Sequence, residues 1–591
     1  MMVGVCVAPA AMAQADWSAK VLKTKDTDKK EQVASKSARS GVSSEVMAKL
    51  VAHERHAPAV ALVAGRYFED AKFDQNTPDV LRLIARRPDI GAQAIAYASM
   101  SPMAPELIVG LSASESKEDQ QVAARMLAAT AVMRLPEDRM AKRLAKKAGG
   151  KSPRLDINYR VQAQQLLNNS EDDIALEYTL LAVGIDRIDF AKDVVAPHTK
   201  NREPAVALAA QFALASLNLP IDEPAVLQAI GRAPKREKGR PALSYDPRQT
   251  PRIYAIRAAG EAKLVDAIEP LMALVNDEDL HTAVEAARAL GKIGGKGCSV
   301  RLLDVMDANT VWPVRVAIYD AAGANPEKAT IDLLREKFIE ETGRFRQDAL
   351  YAMLSIVAGQ PGGMTIQAFE EWWAINGEAF VVDAKASVAW RNKHTVGQVD
   401  IEPVAGFYES SVISDRPVFA VDASLSMKGA QIDSLKQTLV GVVDSFPERV
   451  KFNIVDFGGH VRVLAEGGLI PAKNRRRAMM YFIDGMELTY LTRSYDAIER
   501  AMRIPEMDTV HFLSDGAPVG GHIDGWPRIN YAFRLFGQTA PVAIHMIYFP
   551  QPGAAADAAK HEKSPLAVKM KLLTAHHAGK FHVIVAAPAK K

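Results

Sequence analysis

The stretch that decides the C-terminal fold is "VFAVDASLSMKG", residues 418–429. Four apolar residues run unbroken into Asp422, and Ser424 and Ser426 follow at every second position. An unbroken apolar run that ends in polar residues is the pattern of a central strand covered on both faces. Two readings of the polar end stand side by side. A serine ahead of a helix satisfies that helix's free N–H groups, so the segment reads as a strand-to-helix turn with an ordinary cap. Alternatively, three side-chain oxygens are aimed at a common ligand.

Working outward, four more segments share the texture of this strand. They are "KFNIVDF" (451–457), "TVHFLSDG" (509–516), "PVAIHMIYF" (541–549) and "KFHVIVAA" (580–587). Helical patterns fall at 428–445, 474–483, 494–503, 526–536 and 565–576, between the strands. Strands alternating with helices predict an open, largely parallel sheet with helices on both sides, an α/β Rossmann-like three-layer domain. Ligands of such sheets bind beyond the carboxyl ends of the strands.

Asp422 stands at one carboxyl end and Asp515 at another, in "HFLSDGAP"; Thr492 lies just before a helix in "LTRSYDAIERA". Brought together, these loops supply two carboxylates and three hydroxyls, all hard oxygen donors. That set suits Mg²⁺ or Mn²⁺ and does not suit zinc. With few anionic ligands, the cation keeps net positive charge and a water-filled position that a carboxylate from another molecule can take.

The D-x-S-x-S run, the threonine loop before "YDA" and the "LSDG" strand end resemble the von Willebrand factor type A domain and its metal-ion-dependent adhesion site. The resemblance covers about residues 415–588. The lead-in "FYESSVISDRPVFAVD" resembles bacterial proteins that join HEAT-like repeats to such a domain. It implies metal ligation by Asp422, Ser424, Ser426, Thr492 and Asp515, the hydroxyls directly or alternately and the aspartates directly or through water. This chain lacks the paired glycines that usually precede the threonine, having "GMELTYLTRSYD", and Leu425 replaces the glycine common between the serines. Thr492 is chosen by its spacing to Tyr495, with Thr489 as the alternative.

Residues 46–380 are different. Alanine and leucine recur at helical spacing, with breaks every 12 to 18 residues at Pro, Gly, Asn or Asp. Within them "AIRAAGEAKLVDAIEPLMALVND" from Ala255, "AARALGKIGGKGCSVRLLDVMD" from Ala286 and "AIYDAAGANPEKATIDLLREKF" from Ala317 are copies of one unit. Gly260, Gly291 and Gly323 fall 31 and 32 residues apart, and Ser355 continues the phase. Each unit reads as helix, glycine-containing turn, helix. Ala258, Ala289 and Ala321 permit close helix approach, while Leu271, Leu302 and Leu333 sit on the second helix. One pair cannot cover its own apolar face, so the pairs stack into an all-α superhelical solenoid resembling HEAT-like repeats. "VAARMLAATAVMRLP" and "VALAAQFALASLNLP" read as degenerate copies upstream. A basic, Pro- and Gly-rich stretch at 231–252 interrupts the array and reads as an exposed loop. Trp372 and Trp373 in "IQAFEEWWAINGEAF" read as packing residues of its last helix, and residues 381–414 as a connector.

Residues 16–45, with "KTKDTDKKEQ" at their centre, read as a polar tether. Before them, "MMVGVCVAPAAMAQADW" ends its apolar run in Ala13-Gln14-Ala15, the small-x-small pattern of a signal peptide over residues 1–15. Export to the periplasm or cell surface is the expectation, and a cytoplasmic terminus the alternative. No stretch reaches the ~18 apolar residues of a membrane span. With Cys6 in the removable segment, Cys298 stands alone and no intrachain disulfide forms in the mature chain. A net charge of +3 over 591 residues excludes the strong basic bias of a dedicated nucleic-acid binder.

No G-x-S-x-G elbow and no phosphate loop is present. His576, His577 and His582 cluster in "TAHHAGKFH", but no further Cys or His stands at ligand spacing, so they read as surface or strand-end histidines. The expectation is a non-catalytic scaffold whose cation captures an Asp or Glu carboxylate of a protein partner. Three alternatives remain: a solenoid adaptor with a vestigial metal site, a metal-dependent hydrolase, and a cytosolic chaperone-type adaptor.

Overall fold

A computed structural model describes residues 17–584 apart from 39–40, 71–73, 88, 102, 134–158, 189–191, 235–246, 307–309, 474, 537–540 and 551–560. The segment read as a signal peptide therefore lies outside the described residues, as does the centre of the basic loop.

The N-terminal part is a continuous helical array. Helices Thr27–Ala38, Ala57–Asp70, Gly91–Met100, Lys117–Met133, Asp173–Asp186, Pro204–Ser216, Thr250–Ala262, Leu280–Ile293, Trp312–Ala324, Gly343–Ile356 and Ala384–Arg391 each pack on the next. A second set, including Ser44–His53, Thr77–Ala85 and Ala104–Ser112, packs along them. Helix Pro204–Ser216 packs directly on Thr250–Ala262. The stack is therefore not interrupted at 231–252.

The repeat glycines work by contact rather than by turning the chain. Gly260, Gly291 and Gly323 lie inside helices, near their ends, and not in turns. A Cβ on Gly260 would meet Ala289 Cα at 3.0 Å, and one on Gly291 would meet Ala321 Cα at 2.8 Å. A Cβ on Gly323 would meet Ser355 Oγ at 2.6 Å. The small residues thus let successive inner helices touch backbone to backbone. Leu271 and Leu302 are buried on the outer helices, with Leu333 partly so.

Two expectations are corrected. Residues 16–45 do not form a tether: residues 17–23 and Thr27–Ala38 are helical, and Trp17, Val21, Ala34 and Ala38 are buried. The segment's few apolar residues fall on one side, and the rest of the molecule supplies the surface they cover. The connector 381–414 is also structured. Helix Ala384–Arg391 extends the array, and strands β1 (Ala405–Phe407) and β2 (Ser410–Val412) form an antiparallel hairpin. Phe407 of that hairpin packs edge-on against Phe419, centroids 4.9 Å apart.

The C-terminal domain has strands β3 (Pro417–Asp422), β4 (Lys451–Phe457), β5 (Val461–Val463), β6 (Ile470–Pro471), β7 (Thr509–Ser514), β8 (Ala543–Tyr548) and β9 (Phe581–Val583). The sheet order is β5-β4-β3-β7-β8-β9, with β6 also on β4. β4, β3, β7, β8 and β9 are parallel, and β5 and β6 are antiparallel. Phe419, Val421, Phe452, Ile454 and Leu513 face helices Ala430–Asp444 and Arg476–Asp484. Val418, Ala420, Val510 and Phe512 face the opposite way, in a core shared with Ser494–Met502, Trp526–Phe536 and Pro565–His576. Both faces are covered, which is why the strands read as unbroken apolar runs. The strand order reverses between β3 and β7, and in an open parallel sheet that switch opens a crevice at the carboxyl ends.

Candidate functional site

Asp422 ends β3, and Asp515 follows β7 directly, so both carboxylates stand at the switch point. Sheet register sets Val421 beside Leu513, one residue short of Asp422 and Ser514. Ser514 Oγ donates to Asp422 Oδ2 at 2.6 Å, and Ser424 N donates to Asp422 Oδ1 at 2.7 Å. Ser424 Oγ and Ser426 Oγ are 2.8 Å apart, and Ser426 Oγ donates to Asp515 Oδ1 at 2.9 Å. Four of the five expected residues are therefore joined in one hydrogen-bonded cluster. Asp422, Ser424 and Asp515 are buried.

The ordinary-cap reading of the serines fails. Ser424 makes no side-chain cap bond, and helix Ala430–Asp444 starts after Gly429, whose φ of +94° needs a residue without Cβ. The turn between them is a short 3-10 segment, Leu425–Met427, which holds Ser426 up to Asp515.

Thr492 lies in the neighbouring loop. It exchanges backbone hydrogen bonds with Val519, N to O at 2.9 Å and O from N at 3.0 Å, which ties it to the segment following Asp515. Its hydroxyl takes no part in the bonds joining the other four. The alternative, Thr489, runs beside Ser424: its N donates to Ala423 O at 3.0 Å and its O accepts from Leu425 N at 2.7 Å. The Thr489 hydroxyl is already engaged by Gly459 N. Gly458 and Gly459 supply the closeness this loop needs, since a Cβ on Gly458 would meet Thr489 Oγ1. Small residues absent ahead of the threonine are thus present on the strand end facing it.

Burial, and then the nearby charge of Asp515, push the Asp422 carboxyl up to about 7, against hydrogen bonds from Ser424 and Ser514. Two buried carboxylates with hydroxyls between them form a set of hard oxygens. That donor chemistry fits Mg²⁺ or Mn²⁺. Among the described residues no group of three or more His, Cys, Asp or Glu side chains is arranged to hold a metal, and the cluster here has only two carboxylates. A cavity of about 120 Å³ adjoins it, lined by Ala423, Asp456, Arg462, Glu487 and Thr489 among others.

Among the described residues, His576, His577 and His582 form no group arranged to hold a metal. His576 Nδ1 is 2.8 Å from Asn530 Oδ1, and His577 is buried at the helix end. His511 and His545 instead stack on adjacent strands, centroids 4.7 Å apart. Sequence reasoning missed Ser514 as a partner of Asp422; its place just before Asp515 was the available signal.

Residues 237–323 match the family model described as HEAT repeats. The match suggests a protein-interaction or scaffold role for the array. No curated protein matches the chain. Among solved structures, the chain is similar to one titled "Crystal structure of Deinococcus radiodurans RO (RSR) protein", at 13% identity and a TM-score of 0.18. The match covers 90% of this chain and 94% of that one. A likeness at that score carries no argument about this chain.

Proposed function

We propose that the chain is a non-catalytic scaffold whose C-terminal domain is of the von Willebrand factor type A kind and captures a protein partner through a divalent cation. Asp422, Ser424, Ser426, Thr492 and Asp515 would hold Mg²⁺ or Mn²⁺. When bound, the cation supplies the positive charge and the exchangeable position that a partner's Asp or Glu carboxylate takes. The two aspartates balance charge, and the hydroxyls keep the site from becoming so anionic that it repels a carboxylate. The helical array presents a second surface, which makes the whole an adaptor. We place the protein outside the cytoplasm, on the small-x-small pattern at residues 13–15.

The observation that carries this reading is the joining of Ser424, Ser426 and Asp515 through hydroxyl contacts of 2.8 and 2.9 Å, at the switch point where Asp422 also ends its strand. Titration calorimetry tests it. Mg²⁺ and Mn²⁺ should bind the wild-type chain and bind Asp422→Ala at least ~10-fold more weakly, because removing one anionic ligand from a hard site lowers its affinity. Partner capture from an envelope extract should be released by EDTA. Heat-free titrations at millimolar metal would defeat the metal reading. Capture unaffected by Asp422→Ala would move the function to the array alone.

A further inference from the structure

The first helix of the array reaches the far end of the chain. Glu31, on helix Thr27–Ala38, is fully buried and lies against the loops beside the carboxylate–hydroxyl cluster. Its Oε1 accepts from Arg493 Nη2 at 3.1 Å, and its Oε2 accepts from Gly521 N at 3.2 Å. His56 Nε2, from the loop ahead of the next inner helix, is 2.7 Å from Oε1. Arg493 follows Thr492 directly, and Gly521 lies two residues beyond Val519. Glu31 therefore grips both sides of the Thr492–Val519 backbone bridge.

A second contact lies alongside. Tyr97 Oη, on helix Gly91–Met100, donates to His522 O at 3.0 Å, and the Arg528 guanidinium lies over the Tyr97 ring at 5.3 Å. At its other end the array also meets the sheet domain, where Arg344 Nη1 donates to Asp508 O at 2.8 Å. The array and the domain thus form a closed circuit of packed helices, and the N-terminal closure falls on the loops that carry Thr492 and follow Asp515.

We propose that Glu31 is a positioning residue for the cation site, so that closure of the helical array on the sheet domain and cation binding strengthen each other. The proposal rests on the metal reading above. A carboxylate at 0% exposure is held only by full pairing, and here the pairing takes the side chain of Arg493, next to Thr492, and the backbone N–H of Gly521, two residues after Val519. Partners behind a metal site that set the orientation of its ligands change affinity by about 10- to 100-fold when removed. Coupling of this kind is reciprocal: a cation that prefers the closed arrangement must stabilise closure by the same factor.

The test uses the full chain and Mn²⁺ alone. Glu31→Gln should weaken Mn²⁺ binding about tenfold in calorimetry while the circular dichroism spectrum stays that of the wild type. Saturating Mn²⁺ should slow amide exchange in helix Thr27–Ala38 of the wild type, and should not do so in Asp422→Ala. An effect on folding alone would leave that metal-dependent protection unchanged. Equal Mn²⁺ affinity in Glu31→Gln overturns the proposal, as does an exchange pattern indifferent to the metal. Should Glu31→Gln fail to fold, Tyr97→Phe decides, since it removes one hydroxyl bond and keeps the ring over Arg528. About threefold weaker binding is expected for that variant, and unchanged binding overturns the proposal. A wild type that binds no Mn²⁺ defeats the metal reading and this one together, whereas a binding wild type with an indifferent Glu31→Gln defeats the coupling alone.

Discussion

The helical array and the sheet domain keep order over very different sequence distances. In the array, partners recur about one repeat apart: Ser355 Oγ donates to Gly323 O across 32 residues, and Arg301 pairs with Glu269 across the same interval. In the sheet domain the decisive partners are far apart in sequence: Ser514 and Asp422 are separated by 92 residues, and Ser426 and Asp515 by 89. Closure by Glu31 spans 462 residues to Arg493. An array of neighbour contacts localises damage. A sheet whose central strand touches two others spreads it.

The largest expected effect tests that difference at the centre of the sheet. Phe419 is fully buried on β3 between Phe407 and His511. Phe419→Ala should cost roughly 4 kcal/mol. Hydrogen exchange should then quicken in β3, β4 and β7 together. Confinement of the change to β3 would break the comparison.

Gly291→Ala is the matching test in the array. Its new methyl would stand 2.8 Å from Ala321 Cα, and backbone cannot step aside as a flexible side chain can. We expect a loss of about 2 kcal/mol. Exchange should quicken in Leu280–Ile293 and Trp312–Ala324, while β3 and β7 keep their protection. Loss of protection in the sheet as well would show that closure makes the two regions one cooperative unit.

The remaining effects are in pH dependence, where the regions lean in opposite directions. Burial lowers the His511 pKa to about 3, and His582 adds to the shift. An unfolded histidine titrates near ~6.5, so between these values the unfolded chain binds a proton that the folded chain excludes. Stability from this group is complete above the unfolded value and falls as pH drops, by about 1.4 kcal/mol per pH unit within the window. Asp348, on array helix Gly343–Ile356, is pushed up to about 7 by burial, against the opposing charge of Arg344. Here the folded chain holds the proton, so stability falls as pH rises from about 4 to about 7. Melting points measured from pH 4 to 8 should show a shallower acid limb in His511→Leu and a shallower neutral limb in Asp348→Asn. Parallel curves for wild type and both variants would remove this distinction between the regions.

Much of this organisation was legible along the chain. The strand read at 451–457 has those bounds in the structure, and helices at 526–536 and 565–576 do as well. The spacing of Gly260, Gly291, Gly323 and Ser355 marked true contact points, although the glycines are helical rather than in turns. Short edge strands such as β5 and β6 were not legible, because two or three residues carry no period. The helices of residues 17–38 were missed for another reason: their composition is polar, and the surface they cover lies elsewhere in the fold. At the site, residue types and strand ends pointed to Asp422, Ser424, Ser426 and Asp515. Ser514 went unread although it stands just before Asp515, and nothing in the spacing pointed to Glu31 as their neighbour.

The sequence alone determined the elements and the repeat, because apolar period and the absence of a side chain act on residues close along the chain. It also determined which oxygens end the strands, since the apolar run itself stops there. Only the tertiary structure decided that Ser426 meets Asp515, which hydroxyl of the two threonines is left uncommitted, and what holds Glu31 at 0% exposure. Those outcomes depend on strand order and on closure of the array, both fixed by packing between segments that no local pattern connects.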